Sequence, residues 1–319
     1  MAVYTEVGDE ELFAFVASYD IGTVLSWSGV EEGVENTNYL LKTTTGQFIL
    51  TLYEKRVKPA DLPFFLELKE YLAARGILCP VPFRSRDGNI FNSLCGRPAA
   101  IVTFLEGNWP RAIDTNHCVE VGFVLAKLHL AGSDFAIDRA NDLSVNSWQP
   151  LLAASMPGMD IFEPDLVGEL KREIAFLEKA WPRSLPQGVI HADLFPDNVF
   201  FRFGKLSGLI DFYFACRDVL AYDIAVCLNA WCFNPDGSFD VNKSKCMLEA
   251  YSDIRPLSGA EVSALPILTR GAAIRFLLTR LYDWLYTPVD AMVRKKDPIE
   301  FRDKLRYHQS ASGPNYYGF

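Results

Sequence analysis

His191-Ala-Asp-Leu-Phe-Pro-Asp-Asn198, followed eleven residues later by Leu209-Ile-Asp211-Phe212, is the stretch on which the reading of this chain turns. Around it, residues 189–191, 199–203 and 206–212 form short apolar runs that read as three strands separated by short loops. The arrangement places a polar loop between two strands and an acid at the end of the third. An acid ending a buried strand is costly without a partner. Carboxylate and amide oxygens facing one another suit a hard cation such as Mg²⁺, and a second carboxylate nearby can orient a hydroxyl nucleophile for phosphoryl transfer. The packing alternative makes Asp193 and Asp197 turn formers and Asp211 a strand-end cap. Chance matches to a His-x-Asp-x-x-x-x-Asn pattern number about 0.01 per chain of ordinary composition, which favours chemistry.

Downstream and upstream of this insert the chain reads mostly as helix. Apolar residues recur at helical spacing over 118–131 (Val121, Val124, Leu125, Leu128) and 166–181 (Leu170, Ile174, Leu177), then over 223–231, 243–251 and 269–285. Residues after Ser310 read as a loose tail. Gly107-Asn108-Trp109-Pro110 is turn-rich and marks a boundary between residues 1–107 and 108–319. The first part alternates differently. A helix over 9–19, with Asp9 as its cap, precedes strand-like runs over 21–54, where Thr44-Thr45-Gly46 signals a hairpin. A helix over 62–75 stops at Gly76, and two more strands follow near 89–94 and 98–104. The fold class expected is α+β, with a small mixed-sheet lobe followed by a larger, mostly helical one.

The 319 residues include 31 Lys and Arg against 40 Asp and Glu, a net charge of −9, which argues against a general nucleic-acid binder. Seven cysteines without a Cys-x-x-Cys pair read as reduced thiols, and four histidines leave little for a multi-histidine metal site. The N-terminus lacks the basic-then-apolar pattern of a signal peptide, and no uninterrupted apolar run reaches about 18 residues. The expectation is a soluble cytoplasmic protein with neither membrane nor nucleic-acid partner; the sequence does not give its oligomeric state.

The loop pattern resembles the aminoglycoside phosphotransferase and choline kinase branch of the protein-kinase-like fold. The resemblance implies that Asp193 orients or deprotonates an acceptor hydroxyl, that Asn198 and Asp211 bind Mg²⁺, and that His191 fixes the loop backbone. It also implies that Asp223, in Ala221-Tyr-Asp-Ile-Ala225, braces the loop from a helix. The small lobe is then expected to hold ATP. Gly29, Gly33, Asn36 and Asn38 lie in the segment expected to fold over the phosphates, and Glu67 matches the family's helix glutamate. Val102-Thr-Phe-Leu-Glu-Gly107 resembles the hinge that meets adenine.

One departure stands out. Relatives carry Lys or Arg where this chain has Thr51, so Lys42, Lys55, the metal or loop amides must meet the phosphate charge. Glu35-Asn-Thr-Asn-Tyr39, Ile49-Leu-Thr-Leu-Tyr-Glu54, Leu228-Asn-Ala-Trp-Cys232 and the stretch from Arg275 to Trp284 are similar to the bacterial homoserine kinases built on this fold. Thr51 belongs to that pattern. The implied reaction is transfer of the ATP γ-phosphoryl group to the hydroxyl of L-homoserine. Arg275, in an apolar helical stretch, is the candidate for the homoserine carboxylate, because its planar fork suits one. Arg280, about 140° further round the helix, is expected to pair with Asp283 instead. Asn229 and Trp231 are candidates for the acceptor pocket. The alternatives are a kinase for another small alcohol or amine, and a nucleotide-binding module without catalysis.

Overall fold

The computed structural model describes residues 4–30, 36–54, 57–163, 165–287 and 295–319. The chain divides into two compact units. The first comprises Met1–Gly107 together with Phe135–Arg139 and Ser207–Tyr213; the second comprises the rest. A single cut after Gly107 therefore misses two short segments, and one of them carries Asp211.

In the first unit, strands β1 (Val24–Gly29), β2 (Thr37–Thr43), β3 (Gln47–Leu52), β4 (Asn92–Leu94) and β5 (Arg97–Thr103) form one sheet in the order β1-β2-β3-β5-β4. Every described pairing in it is antiparallel, rather than mixed in direction. Two of its connections are tight hairpins of two or three residues, which join only antiparallel neighbours. Strand β2 alternates buried Thr37, Tyr39, Leu41 and Thr43 with more exposed neighbours, as a half-buried strand must. Leu12, Phe15 and Val16 of helix α1 (Asp9–Val16) join Leu41, Leu50, Leu52 and Ile101 in its core. The cap of α1 is Gly8 rather than Asp9. Helix α2 (Leu62–Ala73) ends before Gly76, whose φ of +83° suits glycine.

The second unit is built on helices α3 (Thr115–Ala131), α4 (Val145–Ser155), α5 (Leu166–Ala180), α6 (Leu220–Trp231), α7 (Val241–Ser252), α8 (Gly259–Tyr286) and α9 (Ile299–Ser310). Helix α8, of 28 residues, packs against α4, α5, α6 and α9, and its Leu268, Ile274, Leu277 and Leu281 join Trp148, Leu170 and Phe301 in the core. By length and composition it is the one described helix able to cross a membrane, but 61% of its most apolar stretch is buried inside this unit. At Gly271 a β-carbon would come within 2.2 Å of the Trp181 ring, so this helix approaches its neighbour closely only because glycine stands there. Strand β6 (Gln187–Ile190) pairs with β9 (Cys216–Val219), and β7 (Val199–Arg202) forms a hairpin with β8 (Lys205–Leu209).

The tail is not loose. Residues Pro314–Tyr317 make a short helical turn, and Tyr317 is fully buried. Its hydroxyl lies 2.8 Å from Thr269 Oγ1 and 3.0 Å from His308 Nδ1, and its carbonyl accepts from Ser244 Oγ at 2.7 Å. An aromatic ring with a polar tip found partners that helical periodicity alone does not reveal.

Candidate active site

The loop at residues 191–198 is held by its own backbone. Asp223, in the first turn of α6 and fully buried, accepts the His191 N–H at 2.7 Å and the Ala192 N–H at 2.8 Å. Two turns further along the same helix face, Trp231 Nε1 donates to the Leu194 carbonyl at 2.7 Å. Residues 223, 227 and 231 are four apart and stack on one face, so α6 runs beside the loop as a rail. From α8, Arg275 Nη1 donates to the Ala192 carbonyl. Inside the loop, His191 Nδ1 accepts the Asp193 N–H at 3.3 Å, which leaves Nε2 as the protonated ring nitrogen of neutral His191.

Asp193 and Asn198 are brought together by this bracing. The Asn198 amide group donates to the Asp193 carbonyl at 2.8 Å and to Asp193 Oδ2 at 3.1 Å. With its N–H donors so used, the Asn198 side-chain oxygen is what remains for a cation. Arg275 Nη2 stands 3.8 Å from Asp193 Oδ1. Withdrawal from water pushes the Asp193 carboxyl up; Arg275, Lys296 and Asn198 oppose this and Asp197 adds to it, leaving it above its ordinary value.

Asp223 goes the other way. Burial raises its carboxyl, but His129, His191 and the backbone donors outweigh that and hold it below the usual range. His129, on α3, is a site residue that sequence reading missed. Its Nε2 is 3.2 Å from Asp223 Oδ2, and its Nδ1 is 2.7 Å from the Tyr251 hydroxyl. Only its place in the last turn of an amphipathic helix, on the buried side, hinted at a polar partner inside.

Among the described residues, four that are not glycine have positive φ. Cys95 and Phe203 precede glycines in hairpin turns, where that conformation is routine. Ala192 (φ +62°) and Asp211 (φ +61°) have no such excuse, and both belong to the motif. Backbone held in this region concentrates at functional sites.

In the first unit, Gly29 ends β1 opposite Tyr39, and the Val30 N–H donates to the Asn38 carbonyl at 2.9 Å. Gly33 and Lys55 lie outside the described residues. Asn36 and Asn38 turn their side chains inward: Asn36 Oδ1 accepts the Glu54 N–H at 3.2 Å, and Asn38 Oδ1 accepts from Thr51 Oγ1 at 2.7 Å. Thr51 thus ties β3 to β2 where a cation was expected. Lys42 is exposed on β2. Arg97 of β5 is paired with Glu54 at 3.3 Å, and Lys69 on α2 is 4% exposed.

Five residues singled out in the sequence stand as follows in the structure. Glu67 lies half-exposed with Pro63 and Glu70 on the outer stripe of α2, in the field of Arg84, away from the buried face. Asn229 is fully buried, donating to the Ala225 and Thr269 carbonyls at 2.9 and 3.1 Å and facing His308 Nε2 at 3.2 Å, so no polar group is left for an acceptor. Trp231 is fully buried and spends its N–H on the loop, and Arg275, 2% exposed, meets Ala192 and Asp193 through its terminal nitrogens while its buried Nε has no hydrogen-bond partner. Trp231 and Arg275 hold the loop, while Asn229 ties α6 to α8 and α9. Arg280 pairs with Glu300 at 2.6 Å instead of Asp283.

Comparison with known proteins agrees with this geometry. The model of the phosphotransferase enzyme family (APH) matches residues 26–257. The chain is 59% identical to a homoserine kinase of Paramagnetospirillum magneticum, covering 100% of this chain and 99% of that one. It is 58% identical to a homoserine kinase of Rhodospirillum rubrum, with the same coverage. Among solved structures it is similar in fold to the choline kinase of Cryptosporidium parvum (TM-score 0.67, 15% identity, 95% and 94% covered). It is also similar to the amicoumacin kinase hAmiN in complex with AMP-PNP, Ca²⁺ and Ami (TM-score 0.69, 12% identity, 96% and 94% covered). A two-unit α+β fold, a loop clamped by α6 and end-to-end similarity to kinases lead to one conclusion: the chain belongs to the phosphotransferase enzyme family.

Proposed function

We propose that this protein is a cytoplasmic homoserine kinase, transferring the γ-phosphoryl group of ATP to the side-chain hydroxyl of L-homoserine to give O-phospho-L-homoserine for threonine biosynthesis. The observation that carries the acceptor is identity of 59% along the whole chain to a homoserine kinase. Asp193 is the group that takes the hydroxyl proton. Burial raises its carboxyl above the ordinary value, and Arg275 and Asn198 stand against its two oxygens. The attack is direct and in line, with no covalent enzyme intermediate.

Asn198 and Asp211 are the residues that would hold Mg²⁺. Both offer oxygen, and the Asn198 oxygen is the end of its amide not spent on Asp193. Among the described residues no cluster of three or more His, Cys, Asp or Glu is arranged to cage a metal. One carboxylate and one amide oxygen would suit a hard cation that takes oxygen ligands. When bound, it offsets charge on the phosphates. His191, Asp223, Trp231 and Arg275 act on the loop backbone: they keep Ala192 in its left-handed conformation and so aim Asp193.

The test is product identity. Phosphorus NMR of a reaction with ATP, Mg²⁺ and L-homoserine is expected to show a phosphomonoester that co-resonates with O-phospho-L-homoserine. Release of inorganic phosphate with no ester would overturn the reading.

A further inference from the structure

We infer that Lys69 of helix α2 is the cation that binds the phosphates of the nucleotide, in place of the strand cation missing at Thr51; the inference rests on the reading of the chain as an ATP-dependent kinase. Thr51 is 4% exposed and its hydroxyl is consumed by Asn38, so β3 offers no charge at that point. Lys42 is exposed. Lys69 is the opposite case, a lysine only 4% exposed on a helix whose inner face is otherwise Leu and Phe. A lysine that deep needs an anion.

Its surroundings say which. Residues 65 and 69 are one helical turn apart on α2, and both meet Tyr213: the Phe65 ring at 5.7 Å between centroids and Lys69 Nζ at 5.8 Å from the ring centre. Tyr213 follows Asp211 by two residues in the same unit, and Asp211 is the carboxylate whose field reaches the ammonium. Cys79, the other neighbour, has a thiol pushed up to about 11 by burial and is neutral near pH 7. Lys69 Nζ thus meets the face of the Tyr213 ring, which carries no formal charge. A buried lysine within the field of Asp211, the proposed metal ligand, is placed for an anionic oxygen of the ligand that the metal accompanies. Glu67, two residues back and about 200° around the helix, cannot share that direction.

The experiment uses the full-length protein and an acyl-phosphate derivative of ATP, which acylates a lysine lying against the phosphates and leaves as ATP. Peptide mapping is expected to find Lys69 acylated, and excess ATP to suppress the label at least about tenfold. In parallel, Lys69→Met is expected to raise KM for ATP at least about tenfold while KM for L-homoserine changes less than about twofold; Lys69→Arg keeps part of the ATP affinity. Labelling absent at Lys69, or confined to another lysine, overturns the inference, as does an unchanged KM for ATP in Lys69→Met. If Lys69→Met fails to fold, the labelling of the wild type and the Lys69→Arg variant still decide. ADP release by the unlabelled wild type with L-homoserine separates the two levels: silence there defeats the kinase reading, whereas activity with Lys69 unprotected defeats this inference alone.

Discussion

Replacing Asp223 by Asn changes one oxygen into an NH₂ group and little else. In the structure both oxygens are occupied, Oδ2 by the His191 N–H and His129, Oδ1 by the Ala192 N–H. Whichever way the Asn amide turns, one backbone N–H then faces another donor in a site with no exposure. An unsatisfied buried donor costs about 1–3 kcal/mol, and the surviving bond loses its charge assistance, worth about 1 kcal/mol more. Ala192 sits at φ +62°, a conformation that costs an alanine about 1–2 kcal/mol and holds only while its neighbours enforce it. The expected loss is about 3 kcal/mol, or a fall in Tm of about 6–12 °C for a unit of this size. Asp193 follows Ala192 directly, so relaxation at Ala192 misaims the base. A displacement of about 1 Å is worth about 10² in rate. Thermal unfolding and ADP release with L-homoserine are the assays. A Tm within about 2 °C of wild type together with kcat within about twofold would refute the claim that Asp223 holds this loop.

Asp193→Asn is expected to lower kcat by at least about 10² with KM for ATP changed less than about threefold, since a general base contributes 10²–10⁴; steady-state kinetics decides. Arg275→Met removes the largest influence lowering the Asp193 carboxyl, whose anion is the active form. The acid limb of the pH–rate profile therefore moves to higher pH, and an unmoved limb would show that Arg275 does not act on Asp193. His308 is fully buried, and burial beside Lys304 and Arg270 pushes its imidazole down to about 3. A depressed histidine gives stability that is present above its unfolded pKa of about 6.5 and is lost as pH falls toward the folded value. Between pH 7 and 5 this amounts to about 2 kcal/mol, so the Tm of His308→Gln should fall less over that interval than that of wild type.

The sequence carried the chemistry better than the support for it. The loop at 191–198, the acid at 211 and the brace at 223 lie within one short stretch of the chain, so their spacing can be read from the sequence. The helices over 115–131, 166–180 and 220–231 showed through their apolar period within a few residues. What stayed hidden came from tertiary pairing. Arg275, Asn229 and Trp231 look like pocket residues in sequence because a polar group in an apolar run asks for a ligand. The fold supplies that ligand from the protein itself, as the Ala192 and Leu194 carbonyls and the His308 ring. Glu67 and Lys69 could not be told apart by spacing alone, since which stripe of α2 faces inward depends on Phe65, Leu68 and Leu72 packing together. Tyr317 and His129 were invisible for the same reason: each is one polar atom whose partners lie far away in the chain.

The central claim is that this protein phosphorylates the hydroxyl of homoserine, and the direct test is coupled measurement of ADP release with Mg²⁺ and ATP across an acceptor panel. The panel contains L-homoserine, L-serine, choline, ethanolamine, methylthioribose and kanamycin, each assayed with wild type and Asp193→Asn. Strong stimulation by L-homoserine, abolished in Asp193→Asn, is the predicted result. Stimulation by another acceptor with none by L-homoserine, or turnover that survives Asp193→Asn, would contradict it.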